Sequence, residues 1–278
     1  MRVAEKMNYL LLTYDSCRYD VLMSANTPVL DSYSAIHRAE APANFTFASH
    51  QAFFVGFLPN VKEYIPYYNR FRKQLLGLIG VGEGQVSKWA LKKIESNWNI
   101  IHGLANEGYQ TVGAGAMNWF RQESLTVGSG FEKFLFTGTD AHRQIDFLLE
   151  NLDITRPFFG FVNFGETHAP YTFQGRTEPC KEDVRARRMI WPPVEQGLVG
   201  VDNCGFRCQA TAAEFLDTCL SRLFEPFPGN TIVILTSDHG DCFGEDGYWG
   251  HGVNHPKVFE VPLSIFRLDR QPLEEGVS

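Results

Sequence analysis

Residues 231–240, Thr-Ile-Val-Ile-Leu-Thr-Ser-Asp-His-Gly, constrain the fold more than any other stretch of the chain. A run this rich in β-branched and aliphatic residues suits a strand covered on both faces, and such strands belong to parallel sheets flanked by helices. The run ends in Asp238-His239-Gly240, so it delivers a carboxylate and an imidazole to the sheet rim, a pair that suits a divalent cation. Near the N-terminus, Tyr9-Leu-Leu-Leu-Thr-Tyr14 runs into Asp15 in the same way. Ligands of an open parallel sheet sit beyond the carboxyl ends of its strands, so the two acidic segments are expected at one point.

Helix-then-strand units recur along the chain. Helix Asn99–Glu107, with Gly108 at its end, leads into strand Tyr109–Ala114; helix Asp140–Leu152 leads into strand Phe158–Phe164; helix Ala210–Phe224 leads through Pro226–Gly229 into the strand at Thr231. Phe259–Phe266 adds one more strand. This alternation predicts an α/β fold around a mostly parallel sheet, and the 23 phenylalanines among 278 residues supply the bulk to cover it. Thr27 is expected to cap a short helix opened by Pro28. Residues 61–108 read as mostly helical, and their Gly77–Gly84 loop lacks the Lys-Ser/Thr ending of a P-loop. Residues 172–207, broken by Pro179, Pro192, Pro193, Gly197, Gly200 and Gly205, are expected to form a lid or insertion within one catalytic domain spanning 1–278. Arg185, Arg187 and Arg188 there form either an anion clamp or a solvated basic turn.

A net charge of -7 argues against a nucleic-acid binder, whose phosphate contacts need a broad basic surface. No apolar stretch approaches the length of a membrane span, and Tyr9–Leu12 is too short for a signal peptide, so a cytoplasmic protein is expected. In that compartment Cys17, Cys180, Cys204, Cys208, Cys219 and Cys242 read as free thiols, with a structural zinc at Cys180, Cys204 and Cys208 as the alternative.

Ala41-Pro-Ala-Asn-Phe-Thr46-Phe-Ala-Ser-His50 reads as a turn entering an apolar helix that ends near Gly56, with backbone N–H groups at its start open to an anion. The order strand–Asp15, turn–Thr46–helix, strand–Asp238-His239-Gly240 resembles the alkaline-phosphatase superfamily, in its sulfatase-like branch. Asp15-Ser-Cys-Arg18-Tyr-Asp20 is similar to that branch's Asp-Ser-x-Arg-x-Asp opening, and Thr27-Pro-Val-Leu-Asp31 to its Thr-Pro-Asn-Leu-Asp helix. Ser237-Asp-His-Gly240, followed by Trp249-Gly-His251-Gly252, resembles its Ser-Asp-His-Gly-Glu to Trp-Gly-His-Gly block.

The resemblance implies an α/β/α sandwich in which Asp15, Asp238 and His239 bind one divalent ion (Mn, Mg, Ca or Zn). It makes Thr46 both a metal-facing hydroxyl and the nucleophile of a metal-dependent phosphoric ester hydrolase or phosphotransferase. Metal coordination is a known way to activate a hydroxyl that is otherwise a weak nucleophile. Sulfatases carry Cys or Ser followed by x-Pro-x-Arg for conversion to formylglycine; here Thr46-Phe-Ala-Ser-His50 stands instead, which points to a small anionic phosphoester or phosphonate ester. The alternatives are a catalytically silent metal-binding relative and a sulfatase working through unmodified threonine. The chain stops soon after Phe266, where larger relatives continue into a C-terminal subdomain.

His168, in a His-x-Pro segment after strand Phe158–Phe164, and His251 are the further catalytic candidates, as donors to a phosphoryl oxygen or to the leaving group. His50, His255 and Lys257 are weaker candidates, and Asn118 and Trp119 either line the pocket or pack at its rim. Glu166 would be needed only with a second metal. Arg18 and Asp20 are expected to steady the turn after Asp15, and Glu245 either to orient His239 or His251 or to stand as a solvated loop carboxylate.

Overall fold

The computed structural model describes residues 6–55, 99–121, 130–177 and 203–269. The Gly77–Gly84 loop, Gly56, Cys180 and the arginines at 185, 187 and 188 lie outside them. In chain order the elements are β1 (Asn8–Tyr14), α1 (Tyr19–Ser24), α2 (Pro28–Asp31), β2 (His37–Glu40), α3 (Thr46–Val55), α4 (Ile100–Asn106), β3 (Gln110–Gly115), β4 (Lys133–Phe136), α5 (Ala141–Asn151), β5 (Phe158–Phe164), α6 (Cys204–Phe224), β6 (Thr231–Thr236), β7 (Cys242–Phe243), β8 (Trp249–Gly250), α7 (Pro256–Phe259) and β9 (Glu260–Arg267).

The main sheet has the order β2-β9-β6-β1-β5-β3-β4. The five strands from β6 to β4 run parallel, while β9 lies antiparallel to β6 and β2 antiparallel to β9. The fold is therefore the expected α/β/α sandwich around a mostly parallel sheet. β1 sits at the centre, paired on one side with β6 through Asn8↔Thr231 to Thr13↔Thr236 and on the other with β5 through Tyr9↔Phe159 to Tyr14↔Phe164. That register brings the ends of all three strands to one level of the rim.

Alternation along the central strands sorts their side chains into two cores. Leu10, Leu12, Tyr14, Val162 and Val233 face Leu22, Leu30, Ile145, Leu148, Leu216 and Leu220 of α1, α2, α5 and α6. Phe159 and Phe161 face the other way, into an aromatic layer with Phe47 and Phe54 of α3, Ile101 of α4 and Phe120. Helices on both faces leave no side of β5 for water, and all seven of its residues are buried.

Two local expectations change. α6 begins at Cys204, six residues before Ala210, because Asn203 Oδ1 caps the N–H groups of Gly205 (2.8 Å) and Phe206 (3.3 Å) and starts the helix inside the presumed insertion. Thr27 makes no capping hydrogen bond; Asp217, from α6, accepts from Val29 N and Leu30 N at 2.9 Å each and does that work across the fold. Of the presumed lid, 172–177 is described as an irregular segment and 178–202 lies outside the described residues.

Candidate active site

Three segments meet beyond the carboxyl ends of β1, β5 and β6. Asp15 follows β1 directly, its N–H donating to Phe164 O of β5 at 2.9 Å and its side chain wholly buried. Ser237 Oγ lies 2.6 Å from both Tyr14 O and His239 O, so its hydroxyl donates to one or the other and fastens the turn after β6 against β1. Asp238 Oδ1 accepts from Ser16 N and His239 N, each at 3.0 Å. Ser16 reaches that oxygen by adopting φ 63°, a left-handed conformation uncommon outside glycine. Gly240 is required by close approach: a Cβ there would stand 2.3 Å from Lys257 O. Its N–H donates to Val258 O at 2.8 Å, holding the Asp-His turn against α7.

Thr46 opens α3 at the same point. Its Oγ1 lies 3.4 Å from Asp15 Oδ2 and 3.3 Å from His239 Nε2. His239 Nδ1 is 3.1 Å from Gly240 O; a carbonyl only accepts, so Nδ1 carries the hydrogen and Nε2 presents its lone pair to Thr46. Asn163, on β5, donates from Nδ2 to Asp15 Oδ2 at 3.0 Å and to Thr13 Oγ1 at 3.2 Å, fixing the carboxylate plane.

The electrostatics of the two aspartates diverge. Burial works to raise the Asp15 carboxyl, but His168, His239 and the Asn163 hydrogen bond overcome it and hold Asp15 below its ordinary range. Burial and then the Asp15 charge push Asp238 well above its ordinary value, against the two backbone N–H bonds to Oδ1. Asp238 Oδ2 is buried with no hydrogen-bond partner. An orphaned carboxylate oxygen beside a second buried carboxylate is costly without a cation, so these residues fit a divalent metal. Ligand atoms of Asp15, Asp238 and His239 all lie within 4.8 Å of one another, and so do those of His239, Asp241 and His251. The two groups share His239.

His168 and His251 come to the same rim. The His251 ring centroid is 4.4 Å from that of His239 and 5.2 Å from that of His168. His251 Nδ1 pairs with Asp241 Oδ1 at 2.7 Å, and His168 Nδ1 donates to Ala169 O at 2.7 Å. Asp241 escaped the sequence reading, although an acidic residue directly after Asp-His-Gly on a rim loop was a usable signal.

The remaining candidates take other roles. His50 is buried among Phe53, Phe54, Phe120 and Phe161, donates from Nδ1 to Thr46 O (2.8 Å) and meets Thr13 Oγ1 through Nε2 (3.1 Å); burial lowers its pKa to about 4, so it is a neutral brace behind Thr46. His255 Nδ1 accepts from Lys257 N at the start of α7, and Lys257 Nζ reaches Asp20 at 2.9 Å. Arg18 and Asp20 are paired as expected, at 2.6 and 2.8 Å. Glu245 turns to Arg18 Nη1 (2.5 Å) and Phe243 N (2.6 Å) instead of to either histidine, because the buried guanidinium must be neutralised where it lies. Glu166 Oε1 accepts from Ala141 N at 2.8 Å and belongs to the start of α5. Trp119 packs on Phe47 with ring centroids 5.1 Å apart, and Asn118 is exposed.

A central β1 carrying an acidic residue to the rim, beside a helix-opening threonine and an Asp-His pair after β6, defines an alkaline-phosphatase-like α/β fold with a candidate metal-ligating centre. The chain belongs to the sulfatase family, whose family model matches residues 81–269, within the alkaline phosphatase superfamily of enzymes acting on phosphate and sulfate esters. Solved structures share the fold at low identity. The C-terminal periplasmic domain of EcEptC from Escherichia coli, in complex with Zn, aligns with TM-score 0.57 and 13% identity over 95% of this chain and 74% of that one. The phosphonate monoester hydrolase of Agrobacterium radiobacter aligns with TM-score 0.58 and 14% identity over 94% of this chain and 68% of that one. A protein of the alkaline phosphatase superfamily from Vibrio parahaemolyticus aligns with TM-score 0.55 and 19% identity over 97% and 62%. No curated protein matches the chain in sequence. Among the described residues, no helix is long and apolar enough to cross a membrane.

Proposed function

We propose that this protein is a metal-dependent hydrolase or transferase of phosphate or phosphonate esters, with Thr46 as its nucleophile. The observation that carries the reading is the position of Thr46 Oγ1, 3.3 Å from His239 Nε2 and 3.4 Å from Asp15 Oδ2 at the edge of a buried three-residue ligand group. Asp15, Asp238 and His239 would hold the metal, with Thr46 beside them. When bound, a divalent cation supplies Lewis-acid charge that lowers the pKa of a hydroxyl oxygen and neutralises charge building on a phosphoryl group.

Thr46 gives up its hydroxyl proton to solvent, since His239 Nε2 and Asp15 would be committed to the metal, and its Oγ forms a bond to phosphorus as the bond to the ester's leaving oxygen breaks. The leaving oxygen takes a proton at the rim, where His251 and His168 stand. The phosphothreonine so formed is opened by water in hydrolysis or by an alcohol in transfer. Phosphorus is favoured over sulfur because Thr46-Phe-Ala-Ser-His50 has neither the residue that becomes formylglycine nor the Pro and Arg after it.

The test is turnover of 4-nitrophenyl phosphate and 4-nitrophenyl sulfate by wild type and Thr46→Ala. Phosphate ester cleavage that disappears in the variant and on chelation supports the reading; full activity in Thr46→Ala refutes the nucleophile, and preference for the sulfate refutes the substrate class.

A further inference from the structure

A cavity of about 710 Å3 opens between the start of α5 and the segment 172–177, and its described lining contains none of Asp15, Thr46, Asp238 and His239. Local contacts hold its walls in place. On one side Asp140 Oδ1 accepts from Arg143 N at 3.0 Å and Glu166 Oε1 from Ala141 N at 2.8 Å, which fixes the first turn of α5. On the other, Phe173 and Arg176 exchange both backbone hydrogen bonds, at 2.9 and 2.8 Å, around a turn at Gly175 with φ 91°. Phe173 stacks on Phe215 of α6, ring centroids 4.6 Å apart and planes inclined by 18°, and the pair gives the cavity an apolar wall.

The polar lining is mixed in charge and in hydrogen-bonding character. Arg143 is exposed and makes no ion pair among the described residues. Arg176 is steadied by Cys208 Sγ, 2.9 Å from its Nη2, and has other N–H groups left over. Glu166 is only 1% exposed, and its Oε2 has no hydrogen-bond partner. Asp146 is already paired with Arg222, so the two arginines balance two carboxylates, Asp140 and Glu166. A strongly charged ligand gains little from such a lining, and an apolar one would leave its polar groups unpaired. A sugar suits it, because each hydroxyl both donates and accepts and the C–H face of the ring packs on an aromatic wall. The volume lies in the usual range of small-molecule sites.

We propose that this cavity is a binding site for a neutral sugar, a mono- or disaccharide, separate from the Asp-His centre. A ring packed on the Phe173–Phe215 wall would accept hydrogen bonds from Arg143 and Arg176 and donate one to Glu166 Oε2, the oxygen that the fold leaves without a partner. The site stands whether or not Thr46 is the nucleophile.

The full chain is titrated with glucose, N-acetylglucosamine and maltose, with binding read by calorimetry and by saturation-transfer NMR. At least one sugar is expected to bind, with saturation strongest at its ring C–H protons, and to bind equally well to Thr46→Ala and to chelated protein. A hydrogen bond from a charged donor is worth about tenfold or more in affinity. Arg143→Ala, an exposed change, should therefore weaken Kd about tenfold, and Phe173→Ala should reduce saturation of the ring protons. Binding of none of the sugars, equal affinity in wild type and Arg143→Ala, loss of binding in Thr46→Ala or on chelation, or inorganic phosphate held more tightly than sugar and released by Arg143→Ala would each overturn the proposal.

Discussion

His251 Nδ1 lies 2.7 Å from Asp241 Oδ1, which fixes the orientation of the imidazole whose centroid is 4.4 Å from that of His239. The carboxylate is buried and ten residues away in sequence, so the loop from β7 to β8 folds back to make the pair. Asp241→Asn keeps the shape and removes the charge. Partners of this kind typically contribute about 10–100-fold to activity. We expect kcat/KM on an aryl phosphate to fall by that much, with the urea midpoint little changed.

Arg18 anchors the turn after Asp15 from beneath. It is buried, pairs with Asp20 and Glu245, and stacks its guanidinium 4.8 Å from the Phe243 ring centroid. Breaking a buried ion pair from one side leaves a charge without compensation, which costs on the order of 3–5 kcal/mol. Glu245→Ala should therefore lower unfolding free energy by about 3 kcal/mol in urea titrations, whereas Glu245→Gln, which still accepts hydrogen bonds, should cost less. No loss in Glu245→Gln would mean that charge is not what Glu245 contributes.

Glu166 gives stability a pH dependence of its own. Burial raises its pKa from 4.5 to about 7, against the backbone N–H of Ala141, and Oε2 has no partner. Below the unfolded value both states are protonated and the group is neutral in its effect. As pH rises from about 4.5 to about 7 the unfolded chain ionises first, so this group destabilises the fold progressively, and the cost is constant above about 7. A displacement of this size corresponds to roughly 3 kcal/mol. Glu166→Gln should flatten the wild-type decline over that window when unfolding free energy is measured against pH; an unchanged slope would assign the decline to another group.

The central strands and the ends they carry were legible in the sequence because β1, β5 and β6 are long apolar runs with both faces covered. Asp15, Asp238 and His239 follow from where those runs stop, and Thr46 from the turn into an apolar helix together with the family resemblance. Short or polar strands carried no such pattern: β2 is His37-Arg-Ala-Glu40 at the sheet edge, and β7 and β8 have two residues each. The roles of Glu245 and Asp217 were hidden for a different reason. Glu245 meets Arg18 across 227 positions and Asp217 caps Val29 across 188, and nothing local to either carboxylate announces a partner that only the fold brings near.

Asp238 combines the strongest candidate for metal binding with the clearest cost in the metal-free chain. Its side chain is fully buried beside Asp15, its ionised form is disfavoured by burial and by that neighbour, and Oδ2 has no hydrogen-bond partner. In metal-free protein Asp238→Asn removes the like charge while its Oδ1 can still accept from Ser16 N and His239 N, so it should be at least as stable as wild type. With metal the order reverses. A ligand at 100 times its Kd stabilises the folded state by about 2.7 kcal/mol. Saturating Zn2+ or Mn2+ should raise the wild-type melting temperature clearly, raise that of Asp238→Asn much less, and restore aryl phosphate turnover only to wild type. An equal metal-induced rise in both proteins would remove Asp238 from the ligand set.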